Sequence, residues 1–176
     1  MKQSEYPPEP FRLLCYGIGN LCRGDDAQGP LLVRWLEQKQ EDFPLFRLQL
    51  EEPFQLQPED VYDLKDADGI LFMDADAQLS RAIQLQPVTA LPCQSAFFTH
   101  ALPPGHLLAL YRQLMKTPPP PAYLLSLSTN DISLGSSLSA QAETNISSAM
   151  RLLSRLMTTG FATWETLLQE KTSAVF

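Results

Sequence analysis

The chain has 176 residues, 44% of them hydrophobic, with 20 acidic against 13 basic side chains and a formal net charge of -7. That length encloses one sizeable core and is too short for two, so a single domain over residues 1–176 is expected, with a Pro-rich lead-in at 1–10 and a C-terminal tail at 161–176. The acidic balance argues against nucleic acid and anionic membrane surfaces as partners.

Residues 1–10 carry Glu5, Glu9 and three prolines but no apolar stretch of the kind a signal peptide needs. No later run approaches the roughly 20 apolar residues that span a bilayer. The three cysteines, Cys15, Cys22 and Cys93, are odd in number and have no CxxC spacing. They point to neither a disulfide framework nor a zinc knuckle, and fit a reducing, cytoplasmic compartment.

Phe11 to Tyr16 is a short apolar run ending at Gly17, as expected of a strand buried on both faces. From Ala27 to Lys39, Leu31, Leu32, Trp35 and Leu36 recur at helical spacing, with Pro30 in the first turn and Asp25 or Asp26 placed to cap the N-terminus. Phe46 to Leu50 alternates as a strand does, and Pro58 to Leu64 reads as a short proline-initiated helix. Gly69 to Met73 is a second continuous apolar run and stops at Asp74-Ala75-Asp76.

Ile83 to Val88 alternates, and Ala96-Phe97-Phe98 leads into Thr99-His100. Gly105 to Lys116 reads as a helix, Pro118 to Pro121 as a stiff extended connector, and Tyr123 to Leu127 as a strand followed by a polar loop, Ser128 to Ser137. Ala142, Ile146, Ala149, Met150, Leu153 and Leu156 form the clearest amphipathic stripe, on a helix capped near Ser137 or Ser139. Phe161 and Trp164 suggest packing of the tail on the domain or on a second copy. The alternation of strands and helices predicts a three-layer α/β/α sandwich with a mostly parallel, twisted sheet of about five strands, phosphorylase/hydrolase-like in class.

In such sheets ligands sit beyond the carboxyl ends of the strands, so the residues that follow each apolar run are the ones to search. They supply Asp25 and Asp26 after the first strand, Asp74 and Asp76 after the third, and His100 after Phe97-Phe98. Two carboxylates and an imidazole suit nickel, zinc or manganese, if the three loops converge. Asp25 reads as a helix cap and Asp26 as the better ligand. His106 reads as an ordinary helix residue, Cys15 as core, and the serines Ser126, Ser128, Ser136 and Ser137 lie in no G-x-S-x-G elbow. Gly17 and Gly19 invite a dinucleotide reading, but Cys22 stands where a third glycine belongs and two carboxylates occupy the pyrophosphate's place.

Gly17-Ile18-Gly19-Asn20 with Asp25-Asp26-Ala27-Gln28-Gly29, the strand Ile70-Leu71-Phe72-Met73 ending in Asp74-Ala75, and Thr99-His100 before Leu107, Leu108 and Leu110 together resemble the hydrogenase maturation proteases over about residues 11 to 157. That family processes the large subunit of nickel-iron hydrogenases. The resemblance implies that Asp26, Asp74 and His100 are the metal-binding and catalytic residues. It implies an endopeptidase that removes the C-terminal extension of a large-subunit precursor after nickel insertion, recognising the bound nickel. The nickel comes with the nickel-loaded precursor, zinc or cadmium substituting in vitro, and a monomer is favoured. Whether the metal polarises the scissile carbonyl or a carboxylate acts as base is left open.

Ala27 departs from a frequent glycine, Asp76 adds a carboxylate, and Cys22 puts a thiol in the turn. The 128–137 loop lacks the expected Gly-x-x-Pro flavour, leaving Asn130 and Asp131 as candidates for gripping the precursor. The rival readings are a non-catalytic flavodoxin-like or nucleotide-binding module and a hydrogenase assembly chaperone.

Overall fold

The computed structural model describes residues 9–91 and 102–166. Its strands are β1 (Phe11–Gly17), β2 (Phe46–Glu51), β3 (Gly69–Asp76), β4 (Ile83–Val88) and β5 (Ala122–Ser128); its helices are α1 (Gln28–Lys39), α2 (Pro104–Met115) and α3 (Ala140–Thr159). The strands make one five-stranded sheet in the order β2-β1-β3-β5-β4. β1 pairs parallel with β2 and β3, and β3 parallel with β5, whereas β4 runs antiparallel along β5 at the edge. The expected mostly parallel three-layer architecture is therefore observed.

The continuous apolar runs of β1 and β3 are explained by burial on both faces. Leu13, Cys15, Leu71 and Met73 face a core shared with α1 and α3, while Leu14, Tyr16, Ile70 and Phe72 face a second core under α2 and the segment 56–64. Period-two alternation sends neighbours in one strand to opposite layers, so a run apolar at every position serves both. The stripe of α3 behaves as read: Ala142, Ile146, Ala149, Leu153 and Leu156 are buried against the sheet. Of the two candidate caps, Ser139 does the work, its hydroxyl accepting from Ala142 N at 3.1 Å.

The tail packs on its own domain as far as Trp164. Trp164 is 0% exposed and donates its indole N–H to Leu156 O at 3.0 Å. Phe161 stacks on Phe11 with ring centroids 4.7 Å apart and lies at the same separation from Trp164. Two elements differ in form from the sequence reading. The segment expected as a short helix from Pro58 is a 3-10 helix, Pro58–Asp66, whose first turn is closed by Asp60 accepting from Gln57 N at 2.7 Å. β3 runs past Met73 to Asp76, because Asp74, Ala75 and Asp76 find partners in Ser126, Leu127 and Ser128 of β5. The Ala96-Phe97-Phe98 segment, Thr99, His100 and Cys93 lie outside the described residues. Among the described residues no helix is long and apolar enough to cross a membrane.

Candidate active site

β1 has β2 on one side and β3 on the other, and the chain leaves it first toward β2 and returns to β3. The crevice beyond the carboxyl ends of β1 and β3 is thus the topological switch point, where neighbouring connections diverge to opposite faces of the sheet. Asp26 follows β1 and Asp74 ends the buried part of β3, so each belongs to one wall of this crevice.

The turn after β1 is drawn tight against β3. Ile18 N donates to Met73 O at 2.9 Å, and Gly19 N donates to Pro53 O at 3.1 Å in the loop after β2. Gly29, in the first turn of α1, comes so close that a Cβ there would stand 2.5 Å from Ile18 O and 2.6 Å from Met73 O. Gly19 adopts φ +138°, and a Cβ on it would collide with the Asp26 carbonyl. This conformation doubles the chain back so that the half-buried Asp26 carboxylate accepts from Asn20 N at 2.9 Å. The Gly-Ile-Gly-Asn sequence is therefore a device for holding Asp26 at the mouth of the crevice.

Asp74 is the electrostatically unusual member of the site. Burial pushes its pKa up to about 7, a hydrogen bond from Ala75 N opposes the rise, and the negative fields of Asp26 and Asp76 add to it. A carboxyl with this pKa exchanges its proton near neutrality. The field of Asp26 is felt at Asp74, so the two side chains lie near enough for a cation between them to be considered. Their oxygens are the hard donors that a divalent first-row ion accepts, and such an ion would offset the burial, and the smaller repulsion, that raise Asp74. Asp76 is turned to local use, its Oδ1 accepting from Gln78 N at 2.8 Å. Among the described residues no group of three His, Cys, Asp or Glu is placed to hold a metal ion. His100, the third residue of the expected set, is outside them.

Asp25 corrects the sequence reading. Neither Asp25 nor Asp26 caps the helix they precede: no side chain accepts from the first turn of the 3-10 segment Gly24–Ala27 or of α1. Asp25 is instead 0% exposed and accepts from Asn130 N (2.8 Å), Asp131 N (3.2 Å), Ser139 N (2.8 Å) and the Ser139 hydroxyl (2.9 Å). Burial alone would raise its pKa, but these donors outweigh it and hold the carboxyl below its ordinary value. A buried carboxylate with four donors is an anchor, and it ties the turn after β1 to the loop between β5 and α3.

Further bonds stitch the same two segments. Asp25 N donates to Asp131 O at 2.8 Å, Gly135 N to Cys22 O at 2.7 Å, and Arg23 Nε to Ile132 O at 3.0 Å. Asn130 and Asp131, considered above for gripping a substrate, thus contribute backbone to the anchor while their exposed side chains remain at the rim. Gln28 and Asn145 are supports that the sequence did not single out. Both are fully buried, and both donate to Ser128 O, at 3.0 and 2.9 Å, locking the end of β5 to α1 and α3. Their polarity within otherwise apolar helix faces was the available signal. Cys15 is sealed in the core, where burial pushes the thiol far up, and Cys22 is exposed.

No family model and no curated protein matches the sequence. Solved structures do match the fold. A [NiFe] hydrogenase maturation protease HycI from Thermococcus kodakarensis KOD1 superposes with a TM-score of 0.62 at 19% identity, covering 86% of this chain and 95% of that one. The hydrogenase maturating endopeptidase HybD from E. coli gives a TM-score of 0.62 at 21% identity, covering 85% and 94%. A hydrogenase 2 maturation peptidase from Thaumarchaeota archaeon SCGC_AB-539-E09 gives 0.57 at 17% identity, covering 81% and 95%. At such identities the likeness establishes that this chain has the α/β fold of those proteins, over nearly their whole length.

Proposed function

We propose that this chain is an endopeptidase of the hydrogenase maturation type, which removes the C-terminal extension of a nickel-iron hydrogenase large-subunit precursor and recognises nickel already carried by that precursor. The reading is supported by the places of Asp26, just after β1, and Asp74, on β3, on the two sides of the switch point, in a fold shared with proteins named for that activity. A nucleotide-binding role fits this crevice less well. Asn20 N, which a phosphate would seek, already donates to Asp26, and two carboxylates fill the turn.

In this proposal Asp26, Asp74 and His100 hold the nickel of the substrate, and zinc or cadmium takes its place in vitro. Bound nickel brings positive charge to the site and fixes the precursor's C-terminal region against it. Asp26 is prepositioned by the Asn20 amide and does not have to be ordered on binding. Without the cation Asp74 has a pKa of about 7, so nickel arriving with the precursor meets a carboxyl that is partly protonated and must give up its proton to act as a ligand. The enzyme acts as a cytoplasmic monomer in this reading.

The test is to incubate the purified chain with a nickel-loaded large-subunit precursor and weigh the product. The expected result is loss of one C-terminal segment, abolished by Asp26→Asn. A precursor of unchanged mass, under conditions where an active maturation protease shortens it, would rule out cleavage.

A further inference from the structure

We propose that the hydroxyl of Ser126 is a hydrogen-bond donor to the peptide being cut, and so a further catalytic residue of the site, beside Asp74. The inference rests on the peptidase reading above.

Ser126 is the β5 residue directly in register with Asp74 of β3. In adjacent parallel strands, in-register residues direct their side chains to the same face of the sheet. The hydroxyl therefore belongs to the face and the level of the sheet at which Asp74 enters the crevice. Going along β5 on that face, Ala122 and Leu124 pack into the core beneath α2, and the row turns polar at Ser126, level with Asp74.

Ser126 is only 6% exposed, yet its hydroxyl makes no hydrogen bond to another described residue. Its neighbours are otherwise engaged. The next serine in the row, Ser128, has its hydroxyl bound by Asn145 Nδ2 at 3.0 Å, and Gln84, in register on the β4 side, spends its amide nitrogen on Gln86 Oε1 at 2.8 Å. The Ser126 oxygen is not among the polar atoms wholly sealed from solvent. A hydroxyl that gains no hydrogen bond from the described residues contributes little to the fold, and a valine would fill a strand position better.

What such a group can do is donate toward charge that appears during reaction. Water attack on a peptide carbonyl places negative charge on its oxygen. A prepositioned neutral donor beside Asp74 stabilises that oxygen without the repulsion a third carboxylate would bring. The hydroxyl keeps its proton throughout, and no covalent bond forms to it.

The experiment compares Ser126→Ala with the wild-type chain on a nickel-loaded precursor, reading kcat, KM, cadmium affinity and melting temperature. The expected result is a fall in kcat of about a hundredfold. KM and cadmium affinity should be unchanged, and the melting temperature unchanged or higher. An unchanged kcat would overturn the proposal. So would a kcat that falls in step with cadmium affinity or melting temperature, since the hydroxyl would then be supporting Asp74 or the fold. If the folded wild-type chain leaves the precursor intact, the peptidase reading itself fails and takes this assignment with it.

Discussion

Asp25 and Ser139 are bound to each other twice across 114 positions of sequence, Ser139 N donating to Oδ1 at 2.8 Å and the Ser139 hydroxyl to Oδ2 at 2.9 Å. That hydroxyl also accepts from Ala142 N, so one serine caps α3 and joins it to the turn that carries Asp26.

Replacing Asp25 by asparagine turns one acceptor oxygen into a donor facing N–H groups. A loss of about 2–3 kcal/mol is expected, as for a buried charge-assisted cluster with one member broken, and urea unfolding measures it. The carboxyl's pKa is lowered by folding. Its contribution is therefore present above the ordinary aspartate pKa and disappears as pH falls through the lower folded value. Wild type and Asp25→Asn should converge in stability in strong acid, and amide exchange at Asn130, Asp131 and Ser139 should quicken in the variant at neutral pH.

Asp74 has the opposite sign. Its folded pKa of about 7 lies above the ordinary value, so between the two the folded chain keeps a proton that the unfolded chain releases. Stability must fall as pH rises across that window. Asp74→Asn removes the titration. In a chelating buffer the variant should gain on wild type from pH 4 to pH 8, as thermal unfolding at a series of pH values would show. A constant difference across that range would contradict a raised pKa at Asp74.

Gly19→Ala places a methyl group against the Asp26 carbonyl at a backbone angle of φ +138°. The turn must move, and with it the Asn20 amide that holds the Asp26 carboxylate. The expected outcome is a stability loss above about 1 kcal/mol together with loss of cadmium binding, read by denaturation and calorimetry. Gly135→Ala is the control: φ is positive there too, at +80°, but nothing lies within 4 Å of the added Cβ, so it carries the backbone cost without a clash against the Asp26 turn.

Trp164→Ala should cost about 3–5 kcal/mol, because it empties a fully buried position and leaves Leu156 O without its indole donor. A chain ending at residue 160 should lose at least as much. A urea midpoint unmoved by either change would show that the tail is dispensable.

Much of this architecture could be read in advance, for physical reasons that differ by element. β1 and β3 announce themselves because a strand covered on both faces is apolar at every position. α3 does so through a stripe that its sheet-facing side requires. The strand-end rule offered Asp25, Asp26, Asp74 and Asp76 together, and it was the resemblance to a known family that singled out Asp26 and Asp74. Asp25 was misread because a carboxylate before a helix looks locally like a cap, whereas its actual partners lie 105 to 114 positions away. The antiparallel direction of β4 was hidden because alternation carries no direction. The pairing of Asp74 with Ser126 is a matter of register between strands about fifty positions apart, which no local pattern encodes.

The anchor at Asp25 also sets an order of events during synthesis. The amino-terminal half of the chain contains Asp26, Asp74 and both strands that carry them, yet every hydrogen-bond donor to the Asp25 carboxylate comes from residues 130–139. Until those residues leave the ribosome, the charge on Asp25 must stay hydrated, and the turn beside it has only its bonds to Pro53, Met73 and Asp26 to hold it. The nascent chain thus carries an unpaired buried-to-be charge beside Asp26 until its own carboxyl-terminal third has arrived to neutralise it with hydrogen bonds.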